Sequence, residues 1–182
     1  MNRGQGLGLV AVVAGTTAGC DQSAKLIAST ILEQTGPIDL AGGLLRLQFV
    51  LNHGGFLGLG GGLSPSLRWW LFTFGVSLAL LVVLRMAVAR ERPPLQVVAL
   101  ALILGGGIGN LLDRLALSGA VRDFAILGIG RLRTGVFNLA DAAILLGAFV
   151  LLATTLQRSH PASRTPPEGH RRTDGPPPPD LQ

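Results

Sequence analysis

Only 14% of the 182 residues are Asp, Glu, Lys or Arg, against about 25% in an ordinary soluble domain. That shortage, beside 48% hydrophobic residues, excludes a typical soluble protein. One cysteine, Cys20, excludes an internal disulfide and a cysteine-based zinc cluster. Three scattered histidines, His53, His160 and His170, offer no ligand spacing, so neither a metal nor a cofactor is expected. The 26 glycines and 11 prolines follow no Gly-X-Y period, which excludes collagen. Lysine occurs once, as Lys25. The formal charge of +5 is therefore carried mostly by arginines, which lie between apolar segments or in the C-terminal tail. They read as membrane flanks and not as a nucleic-acid surface.

What the chain has instead is apolar length. Crossing a bilayer takes about 20 mostly apolar residues, and four stretches approach or reach that, at about 7–28, 67–84, 93–112 and 138–157. The expected fold is an all-α membrane protein, a four-transmembrane-helix bundle occupying residues 1–157. Arg68 and Arg85 bracket the second span, with Trp69 and Trp70 at its edge as an interfacial belt. Gly105, Gly106, Gly107 and Gly109 in the third span allow close approach of another helix or a ligand. Four crossings put both termini on one side. Arg85, Arg90 and Arg92 in the short middle loop mark that side as cytoplasmic. Residues 158–182 hold seven of the prolines and almost no apolar side chain, the composition of a disordered cytoplasmic tail.

Leu45, Leu47, Phe49 and Leu51 alternate with Arg46, Gln48, Val50 and Asn52, which predicts a strand with its apolar face on the membrane surface. It runs into a stretch in which six of the nine residues 54–62 are glycine. Near the N-terminus, Thr17-Ala18-Gly19-Cys20 after an apolar run imitates a signal ending at a lipidated cysteine. An uncleaved first span explains the same residues, because three more spans follow.

Polar residues at a span are costly and therefore informative. Asn110, Asp113 and Arg114 lie three and four residues apart at the end of the third span. An Asp113–Arg114 ion pair anchoring the helix end and a direct contact with substrate are both compatible with that spacing. Asn138 and Asp141 have the N-cap and N3 spacing of a capping box, yet a cap needs no carboxylate at a membrane face. Asp21 and Lys25, four apart, form either a pair that ends the first helix or a support for a site. Val121, Asp123 and Ala125 would share one side of a short extended segment. If Asp123 and Asp141 converge, one keeps a proton, and the pair can activate water and protonate a leaving amide. A Ser/Lys hydrolase would have to use Lys25, and none of Ser23, Ser29, Ser64, Ser66 or Ser118 sits in a nucleophile-elbow motif.

In order, Asp21-Gln22-Ser23-Ala24-Lys25, Asn52-His53-Gly54, Gly109-Asn110-Leu111-Leu112-Asp113-Arg114, Val121-Arg122-Asp123-Phe124 and Phe137-Asn138-Leu139-Ala140-Asp141 resemble the motifs of lipoprotein signal peptidase, signal peptidase II, over about residues 7–157. The resemblance implies an aspartic endopeptidase of the bacterial cytoplasmic membrane. Such an enzyme cuts signal peptides from prolipoproteins just before a diacylglyceryl-modified cysteine. It implies Asp123 and Asp141 as the catalytic pair. Asn52, Asn110, Asp113, Arg114, Asn138, Ala140, Asp21 and Lys25 become substrate-binding or supporting residues. It further implies a small β cradle on the periplasmic side and an active site at that face. The implied partners are prolipoprotein substrates, membrane phospholipid and the cyclic peptide inhibitor globomycin. The chain departs from the pattern at Gly55-Phe56-Leu57, Ala24 and Ala142, positions that bear on substrate preference and cradle geometry and not on the acid pair.

Two further readings follow from the residues. A small transporter would string acids along a path through the bilayer, whereas here they gather near one face. A non-catalytic paralogue would bind lipidated signal peptides without cutting them.

Overall fold

The computed structural model describes residues 2–55, 60, 62–89 and 91–159. The Pro-rich segment 160–182 and the departures at Phe56 and Leu57 lie outside them. The chain is mostly helical, with a small antiparallel sheet at one end.

Helix α1 (Arg3–Thr35) starts at a capping box. Asn2 Oδ1 accepts from the Gln5 amide at 2.9 Å, and Gln5 Oε1 accepts from the Asn2 amide at 3.3 Å. It ends where Gly36 takes φ +75 and donates its N–H to Leu32 O, with Pro37 following. Its 33 residues measure about 50 Å at the standard rise, longer than a hydrocarbon core of about 30 Å. The Asp21–Lys25 pair therefore does not end the helix; it sits in its second half, on the buried stripe Val10, Ala14, Asp21, Lys25 and Leu32.

Strands β1 (Ile38–Leu40) and β2 (Leu45–Asn52) follow, joined by the tight turn Ala41–Gly43. Helix α2 (Pro65–Val88) opens with Ser64 as N-cap and contains one π-helical turn, Trp70–Gly75. Helix α3 (Pro94–Ala116) begins at the Pro-Pro pair. Strands β3 (Val121–Ile129) and β4 (Leu132–Arg133) precede helix α4 (Leu139–Ser159). Among the described residues three helices are long and apolar enough to cross a membrane: Pro65–Val88, Pro94–Ala116 and Leu139–Gln157. Helix α1 is not among them, since glycine, threonine and the buried pair dilute its apolar stretch.

Helix α3 is the centre of the bundle, and its run of glycines explains how. Successive residues on a helix point about 100° apart, so Gly105, Gly106 and Gly107 face three directions. A methyl group at Gly105 would lie 2.6 Å from the Ala14 carbonyl of α1; at Gly106 it would strike the Ala140 carbonyl of α4; at Gly107 it would strike Leu80 of α2. Each glycine seats a different neighbour.

The sheet runs β1-β2-β3-β4, antiparallel throughout. Strand β2 falls where the alternation predicts it. Its two-residue period does not persist, however, because the pairing with β3 slips between Leu47 (opposite Ala125) and Val50 (opposite Asp123). In β3 the alternation is clean at the bundle end: Val121, Asp123 and Ala125 are buried and Arg122 and Phe124 are not.

Candidate active site

Five segments meet where the sheet caps the bundle. Helix α1 brings Asp21, Gln22 and Lys25; the last turns of α3 bring Asn110, Asp113 and Arg114; the ends of β2 and β3 bring Asn52 and Asp123; the first turn of α4 brings Asp141, with Asn138 as its cap. Asp21, Lys25 and Asp113 have no exposed surface, and Asp123 and Asn138 keep 1%. Every sequence-predicted site residue is in or beside this cluster.

The two candidate acids are linked through amides. Asp123 Oδ1 accepts from Asn138 Nδ2 at 2.6 Å, and Asp123 Oδ2 accepts from Asn52 Nδ2 at 2.8 Å. Asn138 Nδ2 also donates to Asn110 Oδ1 at 3.0 Å, while Asn110 Nδ2 donates to Asp141 Oδ1 at 2.8 Å. The capping box expected at α4 is present: the Asp141 amide donates to Asn138 Oδ1 at 2.9 Å, and the Asn138 amide to Asp141 Oδ2 at 3.3 Å. Asn138 is thus cap and bridge at once, its side chain wholly engaged inside the protein. Burial pushes the Asp123 carboxyl up to about 6, and the charge of Asp141 acts in the same direction against the hydrogen bond from Asn52. A carboxyl so poised can hold a proton near neutral pH, which is the acid half of an acid/base pair.

Behind the pair lies an ionic core. Lys25 Nζ sits 2.7 Å from Asp21 Oδ2 and 3.3 Å from Asp113 Oδ2, and donates to Asn110 Oδ1 at 2.8 Å. With Asn110 Oδ1 accepting from both Lys25 and Asn138, its amide nitrogen must face Asp141. Asp21 Oδ1 accepts the Ala140 amide at 2.8 Å, tying α1 to the start of α4. A methyl group on Gly109 would lie 2.5 Å from Asp21 Oδ2, so that glycine leaves room for the carboxylate. Ala140 itself is fully buried and packs its carbonyl on Gly106. Lys25 Nζ is engaged by two carboxylates and an amide and, among the described residues, by no serine, which is not the geometry a Ser/Lys hydrolase requires.

Of the two readings the spacing allowed, the Asp113–Arg114 ion pair does not form, because adjacent residues of a helix diverge. Arg114 instead reaches the carbonyls of Asn110 and Gly54 at 3.4 and 3.5 Å, and its guanidinium stands 5.9 Å from the Phe72 ring centroid. Its Nε is buried without a hydrogen-bond partner among the described residues. Asp113 is held by Arg122, at 2.6 Å from Nη2, and by Lys25. Arg122 and Gln22 are the two members of the cluster that sequence reasoning left without a role. Both stand inside motif segments, but nothing local to a helix or strand residue reveals a partner on another element.

A family model for signal peptidase II matches residues 13–157, four-fifths of the chain. The chain belongs to the signal peptidase II family. Among curated relatives, the lipoprotein signal peptidase of Methylorubrum extorquens (strain PA1) is 41% identical over 164 residues, 87% of this chain and 89% of that one. That of Nitratidesulfovibrio vulgaris (strain DP4) is 31% identical over 155 residues, 85% and 91% of the two chains. The fold is shared with two bacterial membrane enzymes solved by the in meso method, at TM-scores of 0.72 and 0.68 and identities of 23% and 21%. These cover 84% and 82% of this chain and 90% and 94% of theirs. As a signal peptidase II family member with three membrane-capable helices, the chain is a multi-pass bacterial membrane protein of a protease family.

Proposed function

We propose that this protein removes signal peptides from diacylglyceryl-modified prolipoproteins, cutting just before the lipidated cysteine, with Asp123 and Asp141 as the catalytic residues. The observation that carries the reading is the amide bridge. Two buried carboxylates from different elements are joined through Asn138 and Asn110, which orient both and leave one of them able to keep a proton. In the first step the ionised member takes a proton from a water held between the pair as that water attacks the scissile carbonyl. The protonated member hydrogen-bonds the developing oxyanion and then supplies a proton to the leaving nitrogen as the C–N bond breaks. No metal and no covalent enzyme intermediate is needed. Asn52 and Arg114 lie beside the pair and are assigned to substrate; Asp21, Lys25, Asn110, Asp113, Asn138 and Ala140 are assigned to support.

We assign α1 as a fourth span, because Asp21 and Lys25, the charges away from its ends, neutralise each other inside the bundle and not in lipid. With four spans both termini are cytoplasmic and the sheet and acid pair face the periplasm, at the outer edge of the cytoplasmic membrane. Phospholipid is the natural contact of the β3–β4 tip. There Ile129 and Leu132, cross-strand partners, are 78% and 81% exposed, beside exposed Arg131 and Arg133. Globomycin, a cyclic peptide, would occupy the scissile stretch's place between the two acids. The C-terminal segment from residue 160 is assigned to the cytoplasm.

The test is product mass. Purified full-length protein in lipid is given one precursor with and one without the diacylglyceryl group. Release of a signal peptide ending just before the modified cysteine is expected from the first. Intact precursor after prolonged incubation would overturn the reading.

A further inference from the structure

Asp123 lies opposite Val50, at the last regular pairing before an irregular stretch of the sheet. On one side the strand's pairing with β2 is broken by the bulge between Leu47 and Val50, next to Asp123. On the other, there is no full strand: Phe137 exchanges backbone bonds with Phe124 and Ala125, and Asn138 Nδ2 reaches the Arg122 carbonyl at 3.4 Å. The strand leaves α3 through a tight turn, with Ser118 at φ 52 and Gly119 at φ 94. Neighbouring residues of a strand point to opposite faces, so whatever fixes residue 122 also fixes the direction of residue 123.

Residue 122 is tied to two helices at once, α3 through Asp113 and α1 through Gln22. Asp113 Oδ2 accepts the Arg122 backbone N–H at 2.9 Å, and Asp113 Oδ1 accepts Nη2 at 2.6 Å and Nε at 3.2 Å. Main chain and side chain thus close on a single carboxylate that has no exposed surface. Gln22 of α1 completes the clasp: its Oε1 accepts from Arg122 Nη2 at 2.9 Å, and its Nε2 donates to Asp113 Oδ1 at 3.2 Å and to Gly109 O at 2.9 Å. Charge-assisted bonds of this kind are the stronger class, and the guanidinium fork adds direction.

We propose that Arg122 is a positioning residue for Asp123, fixing the strand that presents its carboxyl to Asn52 and Asn138 through a three-point strap on Asp113 closed by Gln22. The proposal rests on reading Asp123 as half of the acid pair. The charges facing Asp123 are Asp141 from α4, Lys25 from α1 and Arg114 from α3. A tilt of β3 alters its distance to all three, so losing the strap disturbs both aim and protonation. Removing the side chain also leaves Gln22 Oε1 without its donor and Asp113 with two donors fewer.

The experiment compares the full-length wild type, Arg122→Met, Arg122→Lys and Arg46→Met in lipid. Arg46 is a sheet arginine paired with Asp39, away from the acids. Each is measured for kcat and KM on a lipidated precursor, for thermal unfolding midpoint, and for titration of the Asp123 carboxyl by isotope-edited infrared differenced against Asp123→Asn. Arg122→Met is expected to lose about ten- to a hundredfold in kcat with KM within about twofold, the loss that misplacing a reacting group carries. Its Asp123 titration should move, Arg122→Lys should recover part of both, and Arg46→Met should match wild type. Unchanged kcat in Arg122→Met would overturn the proposal. So would a loss that follows the folded fraction alone while the Asp123 titration stays put. If wild type fails to cleave, the proteolytic reading falls, and the infrared comparison still decides whether Arg122 aims Asp123.

Discussion

Asp123 pays for its burial in a way that can be measured without substrate. Its carboxyl sits near 6 in the fold against an ordinary value of 3.8, so between those values the folded chain holds a proton that the unfolded chain has released. The stability this contributes is complete below pH 3.8 and is lost as pH rises through 6, at up to about 1.4 kcal/mol per pH unit. Asp123→Asn cannot ionise, and its unfolding midpoint in detergent should be flatter than wild type across that window. An identical pH slope in the two proteins would show that Asp123 is not held protonated. At this scale much was legible: the N-cap and N3 spacing of Asn138 and Asp141 predicts the reciprocal bonds that the structure contains. Arg122 was not, because its partner Asp113 lies across a turn whose geometry rests on Ser118 and Gly119.

Among elements, α3 shows how glycine replaces side-chain packing. At Gly106 a methyl group would meet the backbone carbonyl of Ala140, the residue before Asp141, and backbone cannot move aside as a side chain can. Gly106→Ala should therefore separate α3 from α4, lowering stability by about 1–3 kcal/mol and activity by more than the stability loss explains. Gly15→Ala, which meets nothing within 4 Å, should be neutral or slightly stabilising in the same thermal assay. Equal tolerance of both would contradict the close packing of α3 on α4. The glycine patch was readable as a close-approach surface, but which neighbour each glycine seats was not, since that depends on helix rotation. The extent of α1 was likewise hidden. Asp21 and Lys25 resemble a helix end to a hydropathy reading, and only their mutual burial lets the helix continue to Thr35.

For the whole molecule, the open quantity is the number of crossings. Three helices qualify by length and apolarity, and the fourth assignment rests on α1 hiding its charges. In a Cys20→Ser background, a cysteine at Thr35 should react with an impermeant thiol reagent added outside intact cells. One at Arg3 should react only after permeabilisation. Labelling of both from the same side would remove α1 from the spans and reverse one terminus. The apolar stretches made the bundle legible from sequence. The four-stranded sheet was only half visible, because β1 and β4 are three- and two-residue strands that exist by pairing with β2 and β3.

The acid pair is tested most directly by Asp123→Asn and Asp141→Asn, assayed side by side with wild type on a diacylglyceryl-modified precursor while thermal unfolding confirms that each is folded. Each substitution is expected to lower the cleavage rate about a thousandfold or more, since neither carboxyl can do the other's proton transfer. Cleavage at the wild-type rate by either folded variant would contradict the two-carboxylate mechanism.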